Sequence, residues 1–212
     1  MPDFRKLDIP SERKAGTIIM TGLLSWSREA AHSVPGEYFY YFIVYSILGW
    51  FIEGLYNWYS IGTFRKEGLM KGPYKPMYGF APLLLLALGV TAMPLPLFLA
   101  ATFVVPSAVE YATGALLKLL FRRRWWDYSG QAYQLGGHIC LQFSLYWWGL
   151  SVVCLVAVHP LMTRLYSLTA DIWSVLLPMA VLGFAADLAL TFLIRRREAV
   201  LPALGDETGG TY

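Results

Sequence analysis

The sequence predicts an all-α, polytopic integral membrane protein with about five transmembrane helices, its N-terminus outside and its C-terminus inside. Three observations predict it. The 212 residues are 57% hydrophobic and only 15% charged, too apolar for a soluble domain and ordinary for a bundle of spans. The apolar residues gather in long runs that end in aromatic belts, Gly/Pro breakers or arginines. The net charge of +3 hides an uneven distribution of Lys and Arg between the two sides that these runs define.

Residues 1–36 read as a polar N-terminal tail. Residues 18–31 within it could form a short amphipathic helix on the membrane surface, anchored by Trp26. The membrane domain follows over residues 37–197. Span one covers 38–59, bounded by Tyr38, Phe39, Tyr40 and Tyr41 at one end and by Tyr56, Trp58 and Tyr59 at the other. Glu53 and Asn57 are four residues apart and share one face of it. The loop 60–75 carries Arg65, Lys66, Lys71 and Lys75, with Gly68, Gly72 and Pro73 as helix breakers. Span two covers 76–93 and includes Tyr78. Met93-Pro-Leu-Pro96 turns it directly into span three, 95–121, long enough to cross a bilayer as a helix. Glu110 and Tyr111 lie well inside span three, and Arg122, Arg123 and Arg124 stop it.

The loop 122–134, with Asp127 among the arginines, leads to Gly136-Gly137 and span four, 137–158. His138 and Gln142 are one turn apart near its start. His159-Pro160 should end it, 161–171 should connect, and span five, 172–194, carries Asp187 before Arg195, Arg196 and Arg197. Residues 198–212 read as a disordered tail. Cys140 and Cys154 are 14 residues apart on one expected helix, about 21 Å of rise, so they cannot pair within it. No signal peptide is expected, because the apolar patch 17–24 is short.

Orientation follows from Lys and Arg. One side collects ten of them near the spans: Arg65, Lys66, Lys71, Lys75, Arg122, Arg123, Arg124, Arg195, Arg196 and Arg197. The other offers Arg28 and Arg164. The more distant Arg5, Lys6, Arg13 and Lys14 pull the opposite way. With the basic side inside, Glu53, Glu110, Asp187, His138 and Gln142 fall at a similar depth in the cytoplasmic half, which describes a polar cavity opening inward.

Several motifs carry a family resemblance: Leu48-Gly-Trp-Phe-Ile-Glu53, Gly68-x3-Gly72-Pro-Tyr-x-Pro-Met-Tyr-Gly79, Ser107-x2-Glu110-Tyr-x-Thr113, Arg124-Trp-Trp-Asp-Tyr-Ser129 and Gly137-x-Ile-Cys-Leu141. In this order and spacing they resemble the CmpB-type ABC-transporter (type IV) membrane protein family, over roughly residues 38–160. The resemblance implies a transport role and, since the chain has no nucleotide-binding motif of its own, a separate ATPase subunit. It also implies Asn and Arg where Gly136 and His138 stand, so His138 would make any pairing with a buried acid weaker or pH-dependent.

An intramembrane carboxylate is costly and normally faces a partner, a cavity or water. Glu53 and Glu110 are therefore the leading site residues, with Asp187 as a third acid. Glu53 and Glu110 have a packing alternative in which hydrogen bonds, Arg65 or His138 hold the acid; for Asp187 the alternative is close helix packing through Gly183, Ala185 and Ala186. The expected function is a small permease-like membrane transport protein of a bacterial cytoplasmic membrane. Its inward-facing cavity would hold a small solute or cation, with Arg65, Lys71 and Arg124 attracting an anionic group or holding the acids. The alternatives are a membrane-embedded enzyme acting on inner-leaflet lipids, or a non-catalytic scaffold. Partners beyond the bilayer would be the ATPase and a second copy. No cofactor, metal site or nucleic-acid partner is expected, as no second His stands at metal-ligand spacing.

Overall fold

The computed structural model describes residues 12–64 and 68–206. Its helices are α1 (Glu12–Ala31), α2 (Val34–Ile61), α3 (Pro76–Ala87), α4 (Leu95–Phe121), α5 (Leu141–Val153) and α6 (His159–Asp206). A two-stranded antiparallel hairpin, β1 (Gln134–Leu135) with β2 (Ile139–Cys140), precedes α5. Three helical stretches are long and apolar enough to cross a membrane: Val34–Ile61, Leu95–Phe121 and Leu141–Ala199.

α2 is the axis of the molecule. It starts where Ser33 caps the backbone of Gly36 and Pro35 pre-sets the first turn. It ends on Gly62, whose φ of 74° closes the last turn left-handed. α3 lies so close against it that a side chain at Gly49 or Gly79 would overlap Tyr78 or Phe42 and Ser46. The Lys75 amide locks this approach by donating to the Ser46 carbonyl at 3.0 Å. α3 has 12 residues, about 18 Å of rise. That is shorter than the span expected over 76–93, because Gly89 turns left-handed and only a short 3-10 segment, Val90–Ala92, follows.

The second difference from expectation concerns α5 and α6. The connector expected over 161–171 is helical, and hydrogen bonding runs on from Leu141 to Ala199. His159-Pro160 does not end the helix. A wide π segment, Cys154–Val158, precedes it, and such a turn accommodates the N–H that proline lacks. The run is nevertheless not straight. Phe143 and Arg195 border one cavity, whereas a straight helix would hold them about 78 Å apart. The chain descends α2 from Tyr56 (ring to Phe143, 6.0 Å) to Tyr45 (hydroxyl to His159 Nδ1, 2.8 Å). At the start of α2, Trp173 donates to the Gly36 carbonyl at 3.1 Å. The helix then returns, so that Asp187 and Arg195 reach the loop after α2.

Of the aromatic residues expected to bound span one, Tyr56, Trp58 and Tyr59 are exposed, whereas Phe39, Tyr40 and Tyr41 at the other end pack inward. Tyr41 and Tyr45 are buried with Met162, Tyr166, Trp173 and Leu177, and Tyr40 packs against them. α1 docks on α6: Ala31 is buried, and its carbonyl accepts from Tyr166. Residues 12–31 thus form a docked helix, with Trp26 exposed. α6 extends to Asp206, into the segment expected as a tail.

Candidate functional site

A cavity of about 640 Å³ lies between α2, the loop 68–75, the start of α3, α4, α5 and the loop after α4. Glu53, Asn57, Lys71, Tyr78 and Glu110 of the expected site residues line it. Tyr111, Arg124, Asp127, His138, Gln142 and Asp187 do not, and Arg65 lies outside the described residues.

Each acid has its own setting. Glu53 is ion-paired with Lys75 and accepts the Tyr78 hydroxyl at 3.0 Å. Among the described residues its cationic partner is thus not His138 but Lys75, the last residue of the adjoining loop. Glu110 is 2% exposed. One carboxylate oxygen accepts the Tyr128 hydroxyl at 3.0 Å, and the other makes no hydrogen bond. The Trp147 indole is near enough to act on that carboxylate, yet its N–H also lacks a bond of ordinary geometry. A buried carboxyl oxygen left without a partner costs several kcal/mol.

Asp187 does different work. It accepts from the amides of Lys71 (3.3 Å) and Gly72 (2.8 Å), from the Tyr74 hydroxyl (2.7 Å) and from Thr191 (3.2 Å). It clamps the loop 68–75 to α6 and does not join Glu53 and Glu110 as a third cavity acid. Burial and the Asp187 charge push the Tyr74 hydroxyl well up, so it stays a donor. Arg195 completes the clamp: it is buried, donates to the Gly68 carbonyl at 3.1 Å, pairs with Glu198 at 2.9 Å and lies over the Trp125 ring.

The loop after α4 forms a roof. Arg124 binds Asp127 at 2.8 Å, and Asp127 accepts the Ser129 amide and hydroxyl. Those Ser129 bonds, then Arg124, hold the Asp127 carboxyl below its usual range. The Tyr128 amide donates to the Gly137 carbonyl at 2.9 Å, and the Trp126 indole to the His138 carbonyl at 2.9 Å. Between these anchors Tyr128 turns inward to Glu110. Burial, then the Glu110 charge, raise its hydroxyl above the usual phenol range, so it too remains a donor. His138 is 7% exposed and packs edge-on to Tyr111 at 5.5 Å. Burial, then Arg124 and Lys118, push its pKa down. It makes no bond to Glu110. Gln142 donates to Tyr146 on the exposed side of α5.

Sequence reasoning missed Lys75, Tyr128, Trp147 and Arg195 as cavity residues. Tyr128 stood inside a quoted motif, and its spacing from the arginines was the available signal. Nothing in the sequence set Trp147 apart from a lipid-facing aromatic. Among the described residues, no group of three His, Cys, Asp or Glu side chains is placed to hold a metal ion.

Long apolar helices surrounding a cavity with a buried acid, roofed by an ordered polar loop, define a helical membrane protein with an internal cavity. The chain belongs to the family described as "Putative ABC-transporter type IV", whose sequence model matches residues 40–192. That match includes both arms of the bent helix as far as Asp187, beyond the 38–160 range of the motif resemblance. No curated protein and no solved structure matches the chain.

Proposed function

We propose that the chain is the permease-like membrane component of a transport system, and that its cavity is the solute site. The observation that carries this reading is Glu110, fully buried, with one oxygen unsatisfied and facing a cavity built from four helices and two ordered loops. Glu53, fixed by Lys75 and Tyr78, sets the opposite wall. Membership of an ABC-transporter family supports the transport role. In this reading the energy source is a separate ATP-hydrolysing subunit, which membership of an ABC-transporter family supports.

In this reading α2, α3 with its 3-10 extension, α4 and the two arms of the bent helix make five crossings of a cytoplasmic membrane. Lys71, Arg122, Arg123, Arg196 and Arg197 lie on the cytoplasmic side, and the cavity opens inward. Two copies of the chain would supply the number of helices that a solute path needs.

The test is flux. Cells expressing the chain with its ATPase should accumulate or extrude a solute that cells expressing Glu110→Gln do not, at equal membrane abundance. Equal flux in the two strains removes the cavity from the transport path.

A further inference from the structure

One buried acid of the cavity has no cation against it among the described residues, and it indicates a class of ligand. This inference rests on the reading of the cavity as a solute site. Glu53 is neutralised by Lys75. Arg195 is held by Glu198 and the Gly68 carbonyl. Among the described residues Glu110 has no cation against it; it is 2% exposed, with one oxygen on the Tyr128 hydroxyl and the other without a hydrogen bond of ordinary geometry.

The walls beside it are aromatic. Tyr78 and Trp147 meet edge to face at 5.0 Å between ring centres. Tyr128, which donates to Glu110, stacks on Phe143 at 4.8 Å. Ring faces carry negative potential and attract cations, most strongly where water is excluded. A buried carboxylate in a cavity with aromatic walls therefore favours positive charge and opposes an anion. An inorganic cation is a poor fit, because it asks for several oxygen ligands at once and Glu110 has one oxygen to offer. A volume of about 640 Å³ instead suits a body of drug-like size with few polar contacts.

We propose that the cavity binds an organic ammonium ion, with its charged nitrogen against Glu110 and the rings of Tyr78, Tyr128 and Trp147, and its apolar body filling the remaining volume.

Three probes of similar size separate the possibilities: phenyltrimethylammonium, its uncharged carbon isostere tert-butylbenzene, and benzoate. Binding to the purified full chain is read by equilibrium dialysis against empty detergent micelles. The expected result is saturable binding of the ammonium, with the isostere weaker by tenfold or more, about the effect of removing one partner of a buried charge pair. Glu110→Gln should abolish the preference for the ammonium. Trp147→Leu should weaken the ammonium several-fold while leaving the isostere unchanged. Equal binding of ammonium and isostere overturns the cation proposal but leaves a solute cavity standing. Preferential binding of benzoate overturns the sign of the site. Binding of none of the three up to millimolar concentration overturns this proposal and counts against the cavity reading as well. Should Glu110→Gln not fold, the comparison of ammonium with isostere on the unmodified chain decides the matter alone.

Discussion

At the scale of single residues, the molecule separates acids that hold structure from an acid left open. Asp187 satisfies two amides and two hydroxyls. Asp187→Ala should therefore cost roughly 1–3 kcal/mol of stability, seen as a lower unfolding midpoint in detergent and faster proteolysis in the loop 68–75. The Glu53–Lys75 pair is about a quarter exposed. Lys75→Met strands a half-buried carboxylate and should destabilise by about 1–3 kcal/mol. Adding Glu53→Gln should recover part of that loss, a coupling that a double-mutant cycle measures. His138 gives a pH dependence. Its pKa is lower in the folded protein than the ordinary 6.5, so the unfolded chain binds the extra proton more readily. The stability it contributes is complete above pH 6.5 and falls as the pH drops below that value toward the folded pKa. Acidification from pH 7 to pH 5 should loosen the roof loop, and His138→Gln should remove the effect. Hydrogen exchange at residues 134–140 reads it.

At the scale of elements, the roof depends on Gly137. Its φ is 72°, and a Cβ there would lie 2.6–2.8 Å from Asp127, Ser129 and Arg124 side-chain atoms. Gly137→Ala should cost roughly 2 kcal/mol or more and detach Tyr128 from Glu110, with faster exchange in the hairpin and unchanged exchange in α2. The same scale shows what was legible in sequence. α4 was read to the residue, since a run of 27 apolar-rich positions closed by three arginines admits little else. Asp127 was legible as an acid among the arginines, and Arg124 is the one it pairs with. The pairing of Glu53 with Lys75, and of Glu110 with Tyr128, was not. Both depend on how loops fold back over helices, which helical periodicity does not encode. The continuous helix through His159-Pro160 was missed because proline normally ends a helix, and the π turn that accommodates it leaves no composition signal. Asp187 shared the expected depth with the other acids, but depth alone does not reveal which neighbour an acid faces.

At the scale of the whole molecule, the basic loops, the cavity and the membership of an ABC-transporter family are parts of one account. Cysteines placed at Lys71 and Arg123 should react with an impermeant thiol reagent in inside-out vesicles and not in intact cells. The opposite pattern would invert the topology and turn the cavity outward. The most direct test of the central claim is native mass spectrometry of the chain and of Glu110→Gln, each extracted gently from the membrane of its own host. The account predicts a complex with a separate ATPase subunit for both, and a small bound molecule on the unmodified chain that is absent from Glu110→Gln. A chain that emerges without an ATPase, as a homo-oligomer holding a phospholipid whether or not Glu110 is present, would contradict it.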